Sequence, residues 1–167
     1  MINLNPVNWF VGLPSELAVF LLSMIPITEL RASIPIGIEV YHLPVFEVFL
    51  LAVVGNIVPT IFILLLMPRL HGWIINQKFI GNILKKKLIQ AEKQFGEKHV
   101  KFGAIALVLF VGIPLPFTGA WTGSLAAFIF NIPFKKSLPL ISIGVCIAAM
   151  VVTLITIGAG GALRSLF

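Results

Sequence analysis

The longest uncharged run is Phe102-GAIALVLFVGIPLPFTGAWTGSLAAFIFNIP-Phe134, 33 residues without Asp, Glu, Lys or Arg. It is too long for one membrane span of about 20 residues and too short for two spans with a loop between them. Its middle reads Gly112-Ile-Pro-Leu-Pro-Phe-Thr-Gly-Ala-Trp-Thr-Gly123. Pro114 and Pro116 remove two amide donors and disfavour helix at the residues before them. Gly112, Gly119 and Gly123 permit unusual backbone angles and close packing. The pattern predicts a re-entrant hairpin: a helix enters the bilayer, a Pro/Gly tip turns at depth, and a second helix returns to the same side. Backbone broken in this way cannot face lipid, where each unpaired amide costs several kcal/mol. It is buried in protein or lines a wet cavity, so such a tip is a candidate site.

Leu13–Val40 has the same character. It is apolar but interrupted by Pro26, Thr28, Glu29, Arg31, Ser33 and Pro35. Val48–Pro68 and Ser137–Leu163 are also free of charge, and Val45–Met67 and about Ser137–Gly161 read as ordinary spans. The whole chain is 59% hydrophobic and 11% charged. Soluble domains carry about 25% charged residues, so these few charges could not cover a soluble surface, and disorder is excluded on the same grounds. The expected class is an all-α integral membrane protein of one domain. Met1–Glu16 lacks a basic segment, so no cleavable signal is expected there. Cys146 is the only cysteine, which rules out an intrachain disulfide or a cysteine cluster. No cofactor and no metal site is expected.

Ten of the 12 basic residues lie in two places, Arg69–Lys101 and Lys135–Lys136. Basic loops mark the cytoplasmic side. The net charge of +6 is therefore mostly a matter of topology, and nucleic acid is not an expected partner. Within the basic segment, Ile80, Leu84, Leu88, Ala91 and Phe95 form a helical stripe. This predicts an amphipathic helix over roughly Asn82–Lys98, lying on membrane lipids or packed on the cytoplasmic face of the bundle.

A weak internal repeat runs through the chain. Pro26 to Pro44 is 18 residues and Pro114 to Pro133 is 19; Pro44 to Gly55 and Pro133 to Gly144 are both 11. Repeat one covers about 15–67 and repeat two about 102–161, with the basic segment 69–101 between them. If each repeat is a re-entrant hairpin followed by one span, the halves have opposite orientation and both termini lie outside the cell membrane. This is the inverted-repeat plan of many secondary transporters, whose broken helices meet near the midplane. The rival is a plain bundle of four or five spans.

Several residues could carry chemistry. Glu29 and Arg31 sit in an apolar stretch flanked by Pro26 and Pro35, and an ionisable residue at membrane depth is a functional hypothesis by default. Glu29 can carry a proton, and Arg31 offers a planar fork to a phosphate or carboxylate. The alternative is a structural ion pair, or a tip exposed to water. Glu39 is either a second proton site or, like His42 and Glu47, an interfacial group. Asn56 stands mid-span between Gly55 and Pro59, where it can line a pathway or hold broken backbone. Thr118, Thr122 and Ser124 offer hydroxyls that serve either substrate or backbone.

Ile27-Thr-Glu-Leu-Arg-Ala-Ser-Ile-Pro-Ile-Gly37 and Gly112–Gly123 resemble the two signature segments of the small multidrug export protein family, which is grouped with the DedA/VTT superfamily. The resemblance covers roughly Ser15–Gly161. It implies two facing re-entrant hairpins and transport, with proton coupling, of a small or lipid-like substrate. Superfamily relatives move polyprenyl-phosphate or phospholipid headgroups. DedA-type members usually place acidic residues in the first hairpin and an Arg in the second. Here Glu29 and Arg31 both fall in the first, and Leu115–Gly123 is uncharged.

Three functions compete. The first is a secondary transporter or lipid translocase, working as a homodimer because one small bundle shields two hairpins poorly, with substrate between the two tips. The second is a scaffold or assembly factor, which has no need of two polar breaks at depth. The third is an intramembrane enzyme. It has little to build on, since the chain has no Asp, no HExxH and no His in a deep apolar run.

Overall fold

The computed structural model describes residues 10, 12–75, 99–115 and 118–166. Among them are six α-helices and no strand: α1 (Ser15–Met24), α2 (Glu29–Pro35), α3 (Val45–Ile75), α4 (His99–Gly112), α5 (Ala120–Ile129) and α6 (Phe134–Leu166). A π-helical turn, Ile36–Val40, continues α2. The stretches Val45–Arg69 of α3 and Phe134–Ala159 of α6 are long and apolar enough to cross a membrane. The expected amphipathic helix over Asn82–Lys98 lies outside the described residues.

The chain packs as two units. One holds the residues up to Val58 and from Val145 onward; the other holds Pro59–Gly144.

In the first unit, α1 buries Ala18, Val19, Leu22 and Ser23, which recur on one helical face. It ends where expected. Ile25 precedes Pro26 and takes an extended conformation, φ −79° and ψ 131°. Thr28 then turns back, and its hydroxyl donates to the Leu22 carbonyl at the end of α1. This partners one of the carbonyls that a helix end leaves open. The helix after the break packs against α1. It contains Pro35, which has no N–H for the Arg31 carbonyl four residues back. The helix continues past it in a looser form: the Tyr41 N–H donates to Ile36, five residues back, at 3.0 Å. Pro35 is thus not a flank of the break, because the chain stays helical through it.

α3 meets α1 at Gly55. A Cβ there would lie 2.6 Å from the Phe20 carbonyl oxygen and would overlap the Ser23 hydroxyl. The approach is closer than any side chain allows. Gly37 is enclosed in the same way by Val19 and Val48.

In the second unit, α4 stops at Gly112, just before Ile113-Pro114. Its buried residues Leu107 and Val111 are four apart. α5 buries Ala120, Gly123, Ser124 and Ala127, a face of small residues that lets helices approach. α4 ends at Gly112 and α5 begins at Ala120, so Thr122 and Ser124, expected in the second tip, belong to α5. α4 meets α6 at Gly144, where a Cβ would lie 2.7 Å from Val111 Cβ and 3.0 Å from the Val108 carbonyl oxygen.

The two short helical pairs end alike. His42 (φ 54°) and Asn131 (φ 52°) are left-handed, each two residues before a proline that opens a long helix. The Leu43 N–H returns to Gly37 at 3.0 Å, and the Ile132 N–H returns to Ala127 at 2.9 Å. These are helix-ending reversals of the kind that favour Gly or Asn.

Candidate functional site

The break between α1 and α2 leads directly into Glu29. Glu29 opens α2 and is only 7% exposed. Its N–H donates to the Ile25 carbonyl at 2.8 Å, which closes the turn around Pro26. That closure puts Glu29 at φ 44°, in the left-handed region. A non-glycine residue there costs on the order of 1–3 kcal/mol, and burying the carboxylate adds to the cost. Two local rules are broken at one residue.

Arg31 follows two positions later and is half-buried. The charge of Glu29 acts on it. Their opposite charges offset part of each other's desolvation.

The other expected site residues divide between the units. Pro35 sits inside the helix after the break and is half-buried, and Glu39 is exposed on the π-helical turn. Asn56 is 0% exposed on α3, next to the Gly55 contact with α1. All three belong to the first unit. Pro114, Thr118 and Thr122 belong to the second. Pro116 lies outside the described residues.

The second break is organised by its hydroxyls. Thr118 Oγ1 accepts the Leu115 N–H at 3.2 Å and lies 2.8 Å from the Ile113 carbonyl and 2.9 Å from that of Leu115. Thr122 Oγ1 accepts the Gly119 N–H at 3.0 Å, capping the start of α5. Thr118 and Thr122 thus serve the backbone that the prolines disrupt. Of the two roles open to them in the sequence, this is the one the geometry displays.

Two groups escaped sequence reading. The Ser33 hydroxyl is fully buried and has no hydrogen-bond partner, and the same holds for Thr153 Oγ1 on α6. Serine and threonine in helices ordinarily bond back to a carbonyl three or four residues earlier. Ser23, Ser124, Ser137 and Thr156 all do so here. The only signal for Ser33 in the sequence is its spacing, four residues after Glu29. Among the described residues, no three of His, Cys, Asp and Glu come together to hold a metal ion.

The break therefore presents a buried carboxylate in a strained backbone position, a cation two residues on, and a buried hydroxyl four residues on. Such a set can exchange a proton or hold a small polar guest. No curated protein and no solved structure matches the chain. The sequence model of the family described as "Putative small multi-drug export protein" matches residues 29–151 and so begins at Glu29 itself. That span takes in α2, the second break, all of α3 and about half of α6, and the chain belongs to this small multi-drug export protein family.

Proposed function

We propose that the chain is a secondary transporter that exports a small or lipid-like substrate across the cell membrane in exchange for protons. Glu29 carries the proton. Arg31 supplies the counter-charge that makes its release easier, or binds an anionic group of the substrate. The observation that carries this reading is Glu29 itself, buried at a helix break in a left-handed conformation. Strain and burial at one ionisable residue are hard to explain by packing, and they cluster where sites work. Family membership and the two span-length apolar helices support the membrane setting and export.

In this reading each half is a re-entrant hairpin followed by one span. The matched reversals at His42 and Asn131, and the matched close contacts at Gly55 and Gly144, support treating the halves as repeats. The basic segment lies in the cytoplasm, both termini lie outside, and the working unit is a homodimer embedded in membrane lipids.

The test is flux in vesicles reconstituted with the full chain. A pH gradient drives efflux of ethidium, as an amphipathic cation, or flip of a fluorescent short-chain phospholipid. Glu29→Gln abolishes gradient-driven flux of whichever probe moves. Unchanged flux in both Glu29→Gln and Arg31→Ala defeats the assignment.

A further inference from the structure

We propose that Thr28 is a positioning residue, whose hydroxyl latches the turn that holds Glu29 buried and left-handed. The proposal rests on the reading of Glu29 as the coupling group and deepens it by naming what keeps that residue in place. Leu22 stands four residues before Pro26, which has no N–H to offer its carbonyl. The Ile25 N–H reaches that carbonyl only at 3.4 Å. The Thr28 hydroxyl donates to the same carbonyl and takes the place of the missing amide, on a residue only 4% exposed. The next residue is Glu29, whose N–H closes on Ile25 at 2.8 Å. Thr28 also begins the following helix, because its carbonyl accepts the Ala32 N–H at 3.1 Å. One side chain thus ties the end of α1 to the peptide that carries Glu29. With α2 packed on α1 as well, Glu29 cannot relax from its left-handed conformation unless this latch opens.

The second break supplies an independent comparison. Ile25-Pro-Ile-Thr28 has its match in Leu115-Pro-Phe-Thr118, 90 residues on. The threonine hydroxyl there also contacts carbonyls that precede it, of Ile113 at 2.8 Å and of Leu115 at 2.9 Å. The same spacing carries buried Leu30, Ser33 and Gly37 onto buried Ala120, Gly123 and Ala127. It carries Glu29 onto Gly119, which is buried too. The second break therefore leads into its helix with no side chain at the position of Glu29. A carboxylate is not needed to build such a break, whereas the threonine hydroxyl is used in both.

The experiment reads how far Glu29 stays out of reach. The purified full chain, in detergent micelles well below its melting temperature, is treated with a water-soluble carbodiimide and an amine, and modification of each carboxyl is followed by mass spectrometry. Glu29 is buried and Glu39 is exposed, so Glu29 is expected to react far more slowly in the wild type. Thr28→Val keeps the side-chain shape and removes the donor. It is expected to speed modification of Glu29 about ten-fold, or about 1.4 kcal/mol, the effect of one hydrogen bond to a buried carbonyl, and to leave Glu39 unchanged. Thr28→Ser is expected within about two-fold of the wild type. Thr28→Cys, a weaker donor, is expected between serine and valine, and it carries the comparison if the valine variant does not fold. Thr118→Val removes the matching hydroxyl of the other break and is expected to leave Glu29 as slow as in the wild type. A Glu29 rate in Thr28→Val and Thr28→Cys equal to that of Thr28→Ser overturns the proposal. Equal speeding in Thr118→Val also overturns it, because that is general loosening of the fold. No transported substrate enters the measurement. Flux lost in Glu29→Gln with labelling unmoved by the Thr28 variants defeats only this proposal, and labelling that responds with flux unchanged in Glu29→Gln defeats only the transport reading.

Discussion

Replacing Gly55 by alanine adds one methyl group at the contact between α1 and α3. Two effects oppose each other. In a helix interior, Gly to Ala is worth about 0.5–1 kcal/mol in favour of the folded state. Against this, the new Cβ would sit 2.6 Å from the Phe20 carbonyl oxygen and overlap the Ser23 hydroxyl. Ser23 is fully buried, and its hydroxyl is held at 2.7 Å by the same Phe20 carbonyl, so it has nowhere to turn. The carbonyl belongs to the backbone of α1 and cannot rotate away. The helices must separate, and overpacking of this kind costs about 1–3 kcal/mol. The net expectation is a loss of roughly 1–2 kcal/mol, or a few degrees in melting temperature for a chain of this size. Gly158→Ala on α6 is the matched control, because nothing lies within 4 Å of a Cβ placed there. It is expected to gain about 0.5–1 kcal/mol from helix propensity alone. Ser23→Ala combined with Gly55→Ala should recover only part of the loss, since the Phe20 carbonyl remains. The assay is thermal unfolding of the purified chain in one detergent. If Gly55→Ala melts at or above the wild type, the close approach of α1 to Gly55 is wrong.

His42 is exposed and left-handed, so His42→Gly should stabilise the chain by about 1 kcal/mol, the αL cost of a non-glycine residue, read in the same melting assay. An unchanged or lower melting temperature would refute the reversal at the end of the first helical pair. Thr118→Val keeps the side-chain shape but removes the hydroxyl that ties Leu115 and Ile113 together, and should cost about 1–2 kcal/mol, with Thr118→Ser close to wild type. Equal melting of the valine and serine variants would show that the hydroxyl does not hold the second break.

Much of this organisation was legible because proline and glycine punctuate an otherwise featureless apolar chain. Pro26 and Pro114 each follow a helix that ends two residues earlier, and Pro44 and Pro133 precede the two long helices. The interior prolines were harder. Pro35 and Pro68 look like stops, yet α2 continues into a π-helical turn and α3 runs on to Ile75. A neighbouring helix can hold a chain through such a fault, and the sequence does not record that neighbour. The buried face of each helix was also hidden, because lipid and core select the same apolar residues. Only small residues betray it, as in Ala120, Gly123, Ser124 and Ala127. At the site, Glu29 and Arg31 stood out by charge. The left-handed backbone of Glu29 did not, since it follows from closure of the Pro26 turn. Ser33 was invisible as a site residue because a helical serine usually satisfies itself.

The glycine contacts bear on how this fold can change over time. At Gly55 and Gly144 the partner on the short helix includes a main-chain carbonyl, of Phe20 and of Val108. Every amino acid carries that carbonyl, so positions 20 and 108 are free to drift, and they hold a bulky aromatic in one half and a small aliphatic in the other. The glycines have no such freedom, because any replacement must push a helix away. Ancestry shared by the two halves would then survive in the residues with the least side chain, while ordinary residue identity between them faded.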